Sequence, residues 1–273
     1  MNLESTRLSL HQRLHAVADE RHKVSINGIK TMVKSLGAPQ IPDLSFIESP
    51  EYHPYRSLYR RSNSVLTRLG INFENETVNR KVGIGTIWIK AIDNLIDQGN
   101  FESADKAVAR FQNPQVNYDE QTAKEPIHFF TEAVKQLVEL DRYDLVISKF
   151  VKVYQFVRNS HEKSFSSLSN FLKYREEEVM LVTDAGYTGI ETNLKDGQKF
   201  KEFLLAANFF GTYFDTLLDV KEDVANNLYP EPNKSEIKDL QLRLLKSTLV
   251  LLKFPSVYPE YLQSLYRNLM HVV

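Results

Sequence analysis

Apolar residues recur at intervals of three and four through almost the whole chain, the period of a helix with one buried face, and strict alternation of apolar and polar positions is scarce. The spacing predicts helices over 4–36, 55–70, 77–98, 102–111, 120–140, 142–159, 162–184, 197–227, 234–253 and 257–271. Breaks are expected where proline clusters: in GAPQIPD around Pro39 and Pro42, in ESPEYHP ending at Pro54, and in LYPEPN around Pro230 and Pro232. Asn233 stands where an N-cap belongs, and Glu236 three residues later would complete a capping box. Gly186 and Gly189, in VMLVTDAGYTGIETNLKDG, mark either a kink that opens carbonyls toward a cavity or a plain C-terminal cap. About ten helices with short connections make an all-α bundle. No stretch rich in Pro, Gly or Ser marks a linker, so a single domain over 1–273 is expected.

Two of these helices carry acids where apolar residues surround them. Asp93 and Asp97 lie in WIKAIDNLIDQG, and Asp215, Asp219 and Asp223 in NFFGTYFDTLLDVKED. A step of four residues turns only about 40° past a full circle, so each set projects from one stripe of its helix. Like charges at that spacing repel, and a ladder of acids without lysine on its own stripe needs a compensating cation. Buried carboxylates demand the same. Oxygen ligands without cysteine or histidine favour magnesium, which completes its octahedron with water and substrate phosphate oxygens. The expected substrate is therefore a diphosphate. The plain alternative is a solvated acidic face, common in a chain that is 25% charged.

Composition narrows the field around that site. The 34 basic and 35 acidic residues nearly cancel, so no overall field favours a nucleic acid or an anionic membrane as partner. Cysteine is absent, which removes disulfides and thiolate chemistry and fits a reducing compartment. The N-terminal MNLESTRLSLHQRLHAVADERHK lacks the apolar run of a secretory signal, so a cytoplasmic location is expected. The longest mainly apolar run, Phe203 to Phe214, is too short to span a bilayer. His11 and His15 have zinc-pair spacing, but Gln12 occupies the place of a general base. No P-loop and no nucleophile elbow is present, and GIG at Gly83 to Gly85 more plausibly lets helices pack closely than binds a dinucleotide.

The motifs in order, DNLID, then AGYTG, then DTLLDVKED, resemble the squalene and phytoene synthase group of class I isoprenoid synthases over roughly residues 80 to 230. Asp93 and Asp97 fit a D-E-L-V-D pattern at both acids and the central leucine, and Asp219, Val220, Glu222 and Asp223 fit N-I-L-R-D-V-x-E-D. The resemblance implies an all-α bundle around a central apolar cavity with both aspartate motifs at its mouth. There, about three magnesium ions would bind an allylic prenyl diphosphate and draw the diphosphate away. Trp88, Phe209, Phe210, Tyr213 and Phe214, with Gly186 at the helix break, are candidates for the cavity lining, where aromatic faces would stabilise a carbocation. Arg175 is the first candidate for the diphosphate, followed by Lys173, Lys221, Arg60 and Arg61.

Departures from the group direct the expected activity. Asp215 stands where the group has asparagine, Leu218 where it has arginine, and VANNLYP lacks the arginines that follow the second motif. Less basic charge than two diphosphates need points to a terpene synthase that ionises one substrate, as in the similar large bacterial terpene synthases, ahead of a prenyltransferase joining two. A non-catalytic helical interaction protein is the contrasting class. The sequence leaves a homodimer open.

Overall fold

Helix dominates the computed structural model of the protein, which describes residues 23–36, 43–113, 125–160 and 163–258. The helices are α1 (residues 23–35), α2 (His53–Arg56), α3 (Leu58–Arg68), α4 (Asn75–Asp97), α5 (Phe101–Gln112), α6 (Pro126–Leu137), α7 (Tyr143–Arg158), α8 (Leu168–Thr188), α9 (Gln198–Ala225) and α10 (Lys234–Leu251). The all-α expectation stands. One exception escaped the periodicity: β1 (Asn72–Phe73) and β2 (Leu194–Lys195) pair antiparallel, too short to show alternation in sequence. The chain divides into two compact units, one of Met1–Ser62 with Glu76–Leu137 and one of Asn63–Asn75 with Val138–Val273.

The first unit is organised around α4, whose buried stripe includes Ile84, Ile87, Trp88, Ile92 and Ile96. Trp88 meets Phe111 of α5 edge-on at 4.8 Å and donates its indole N–H to Thr131 Oγ1 of α6 at 3.0 Å. Gly83 has the packing role expected of it: a Cβ there would fall 2.8 Å from Met32 Sδ and 3.1 Å from Ile29 Cδ1 of α1. Gly85 has nothing within 4 Å of a Cβ, so the role belongs to one glycine of the pair. The helix expected over 55–70 is two helices, α2 and α3, divided at Ser57. Arg56, fully buried, donates to the carbonyls of Ile47 and Ser49. Pro54 sits inside the first turn of α2 rather than ending a break, because a first-turn residue needs no intrahelical N–H partner.

The second unit packs α9 against α8 and α10, and α8 against α7. Leu168, Phe171 and Leu172 of α8, Tyr213 of α9 and Leu240 of α10 share a core with Tyr229. The helix expected over 162–184 starts later, where the Ser167 side chain caps it by accepting from Asn170 N. It also runs past Gly186 to Thr188, with Gly189 as C-cap at φ −65°, so of the two readings of that segment the structure gives the cap. Asn233 accepts from Ser235 and Glu236 N–H groups, and Glu236 returns a contact to Asn233 N, so the expected capping box is present. The expected helix over 257–271 lies almost wholly outside the described residues, as do His11 and His15. Among the described residues no helix is long and apolar enough to cross a membrane.

Candidate functional site

The two aspartate ladders fall in different units and have different surroundings. On α4, Asp93 is half-buried and its Oδ2 lies 2.7 Å from Lys90 Nζ, one helical turn earlier. That lysine is the compensating cation, and the sequence reading, which found no lysine on the stripe, passed over it; the Lys-x-x-Asp spacing was its signal. Only 14% of the Lys90 side chain is exposed, and its ammonium sits 5.5 Å from the centre of the Tyr55 ring. Burial pulls its pKa down, but the hydrogen bond and charge of Asp93, with the charges of Tyr55 and Asp97, more than offset this and leave it raised. Asn94 between the acids donates to Glu51 Oε2 at 3.2 Å and to Tyr52 OH at 3.4 Å. Burial, with the Glu51 and Asp93 charges beside it, pushes the Tyr52 phenol up to about 12. Asp97 is exposed, not buried as its apolar neighbours suggested.

On α9 no cation lies on the acidic stripe. Asp215 and Asp219 are exposed and Asp223 is half-buried, so this ladder too is more open than the apolar run before it implied. Asp215 keeps an open side chain by surface area, yet the surrounding protein partly desolvates its carboxyl and raises it; the Asp219 charge adds to the rise and Arg175 opposes it. Asp223 is raised in the same way by desolvation, with Asp219 and Glu222 adding and a hydrogen bond from Tyr229 and the Arg175 charge opposing. Arg175, from α8, thus acts on both ends of the ladder. It is held by Glu178 Oε2 at 2.6 Å, one turn along its own helix.

Tyr229 reaches Asp223 through the end of α9. Asn227 takes φ +57°, Asn227 N–H reaches Val224 O at 3.0 Å, and Leu228 N–H reaches Asp223 O at 2.9 Å, a Schellman closure with asparagine in the left-handed position. The reversal brings Tyr229 OH to 2.9 Å from Asp223 Oδ2, and burial with that carboxylate raises the phenol above its ordinary range. Sequence reasoning missed Tyr229, because nothing before folding says which phenol a turn returns to which acid. It also missed the network beneath: Tyr213 OH donates to Glu176 Oε1 at 2.7 Å, and Arg243 of α10 bridges Glu176 and Asp239.

The remaining candidates divide clearly. Lys173 and Lys221 are exposed in the second unit, and Arg60 is exposed in the first. Trp88 belongs to the packing of α4, α5 and α6 described above. Phe209 and Tyr213 stack at 5.9 Å, Tyr213 within the buried cluster and Phe209 against it, and Phe210 and Phe214 stack at 5.7 Å. Gly186 is exposed, with nothing within 4 Å of a Cβ. Among the described residues no three acidic or histidine side chains close into a ready-made metal-ligand set. No protein-family model matches this chain, and neither a curated protein nor a solved structure matches it.

Proposed function

We propose that the chain is a magnesium-dependent class I isoprenoid synthase that ionises an allylic prenyl diphosphate and releases diphosphate, as a terpene synthase or cyclase. The observation that carries this reading is the α9 ladder. Three carboxylates at four-residue spacing share one stripe without a lysine, the outer two, Asp215 and Asp223, are raised by desolvation and by the charge of Asp219 between them, and an arginine from the neighbouring helix acts on both. Surplus acceptors of this kind suit a hard divalent cation, so the donor chemistry fits magnesium. Asp215, Asp219 and Asp223 would hold it, and magnesium would supply Lewis-acid stabilisation of the departing diphosphate. Tyr229 fixes the Asp223 carboxylate by its hydrogen bond. Arg175 offers a planar guanidinium to phosphate oxygens once it exchanges its contact with Glu178.

Asp93 and Asp97 stand as the second metal-binding pair of the proposal, and here one observation favours another reading. Lys90 already neutralises Asp93, which suits a structural ion pair and, for that helix, the non-catalytic alternative. A double-mutant cycle decides between them. Asp93→Asn and Asp219→Asn, singly and together, should lower turnover by less than the product of the single losses if both ladders serve one reaction. Purified protein with magnesium is incubated with prenyl diphosphates of increasing chain length and the hydrocarbons analysed by mass spectrometry. A product with the carbon count of one substrate supports the terpene synthase; doubled carbon count gives the reaction to the head-to-head prenyltransferase; no release of diphosphate from any substrate sinks both.

A further inference from the structure

The outward face of α10 combines two features that a helix seated against water does not need together. Leu242, Leu245 and Leu249, with Leu252 at the C-cap, follow spacings of three, four and three, which places them on one stripe. Val250 borders it, and these five side chains are 40–54% exposed. The inward face is separately satisfied, with Leu240, Ser247 and Leu251 buried and Ile237 and Leu244 packed on the core cluster. Lys238 continues the leucine stripe one turn toward the N-terminus, Lys234 precedes it by another turn, Lys246 flanks it, and Lys253 follows its end; all four are exposed. Of the two acids of the helix, Glu236 is held in the capping box, and Asp239, on the flank of the stripe one turn before Leu242, is paired with Arg243.

We infer that this face docks on an anionic lipid surface, leucines entering the headgroup boundary and lysines meeting the lipid phosphates. A row of exposed aliphatics bordered by four lysines, with its one flanking acid, Asp239, paired with Arg243, is the pattern of a helix lying in a membrane interface, where apolar burial and attraction to anionic lipid reinforce each other. The charge disfavours the other occupants. A second copy would double the lysines along one seam and bring from this helix one flanking acid, Asp239, that is already paired with Arg243. The residues after Tyr258, PEYLQSLYRNLMHVV, carry one acid, Glu260, and one arginine, Arg267, and so bring no net negative charge to meet the lysines.

The test is co-sedimentation of the full chain with vesicles of phosphatidylcholine alone and of phosphatidylcholine mixed with phosphatidylserine, at low and high salt. The protein should sediment with the mixed vesicles, release as salt rises, and ignore the neutral ones. The double variant Leu245→Gln/Leu249→Gln should weaken partitioning by about tenfold or more while keeping the wild-type thermal melt. Lys238→Glu/Lys246→Glu/Lys253→Glu should abolish the preference for phosphatidylserine. Sedimentation equal for wild type and both variants, or none with either vesicle, overturns the inference. So does a concentration-dependent dimer that Leu245→Gln/Leu249→Gln dissolves without any vesicle binding, which would give the face to a second copy.

Discussion

The ladder on α4 and the ladder on α9 share their four-residue spacing and part company in how their charge is closed. Asp93 is answered within its own helix by Lys90, a local ion pair whose partner is almost fully covered. The α9 acids are answered only from outside, by Arg175 on α8 and by Tyr229 beyond the helix end. A carboxylate that already owns a cation is stabilising as it stands. One that shares its stripe with two other carboxylates is held at some expense in free energy, and such strain in an open place is what a ligand can relieve.

The largest effect that tests this contrast is on turnover. Asp219→Ala is expected to lower it by about a hundredfold or more while leaving the ligand-free protein as stable as before or slightly more so, since it removes like-charge repulsion. Thermal melts with and without magnesium and inorganic diphosphate read the same contrast without catalysis. The wild type should shift upward and Asp219→Ala should not, and equal shifts would return the α9 ladder to a solvated face.

Asp93→Ala should behave in the opposite way. It strands the covered Lys90 ammonium, so the ligand-free protein is expected to lose about 1 kcal/mol, measured by urea unfolding. A loss no greater than that of Asp219→Ala would erase the distinction between the two ladders.

Acid sharpens the comparison within the second unit. Asp184 is held below the usual carboxylate range, first by the hydrogen bond from Lys149, against desolvation, and then by Lys201 and the charges of both lysines. A folded pKa below the unfolded one means stability present above about pH 3.8 and lost as pH falls through the folded value. Asp215 and Asp223 have the opposite sign: raised in the folded state, they weaken the fold at neutral pH, and that penalty disappears as pH falls through their folded values. Unfolding midpoints followed from neutral to acid pH should therefore fall less steeply in Asp184→Asn than in wild type, and more steeply in Asp215→Asn/Asp223→Asn. Parallel curves for all three would contradict both signs.

The smallest effect is expected from Tyr229→Phe. It removes one hydrogen bond to Asp223 and should destabilise the ligand-free protein by about 1 kcal/mol or less. It should also raise the magnesium concentration needed for half of the diphosphate-induced melting shift. An unchanged magnesium requirement would mean that Tyr229 does not orient the carboxylate.

By itself the sequence determined what depends on neighbours along the chain. The 3.6-residue period placed α4, α5, α7, α9 and α10 to within about two residues. The spacing of Asn233 and Glu236 announced the cap that starts α10, and Gly83 its close approach to another helix. The acids of each ladder were assigned to one stripe because a helix fixes that geometry without any partner. The cation beside Asp93 was legible by the same rule, since Lys90 lies one turn away. Only the tertiary structure decided which other elements answer those acids. Arg175 comes from a second helix, and Tyr229 arrives through a turn that needs Asn227 in the left-handed region. It also decided that Tyr213 belongs to a buried network with Glu176 and Arg243, and that the leucines of α10 face outward beside lysines. Burial and the field at a carboxylate are sums over atoms distant in sequence, and only the packed chain brings those atoms together.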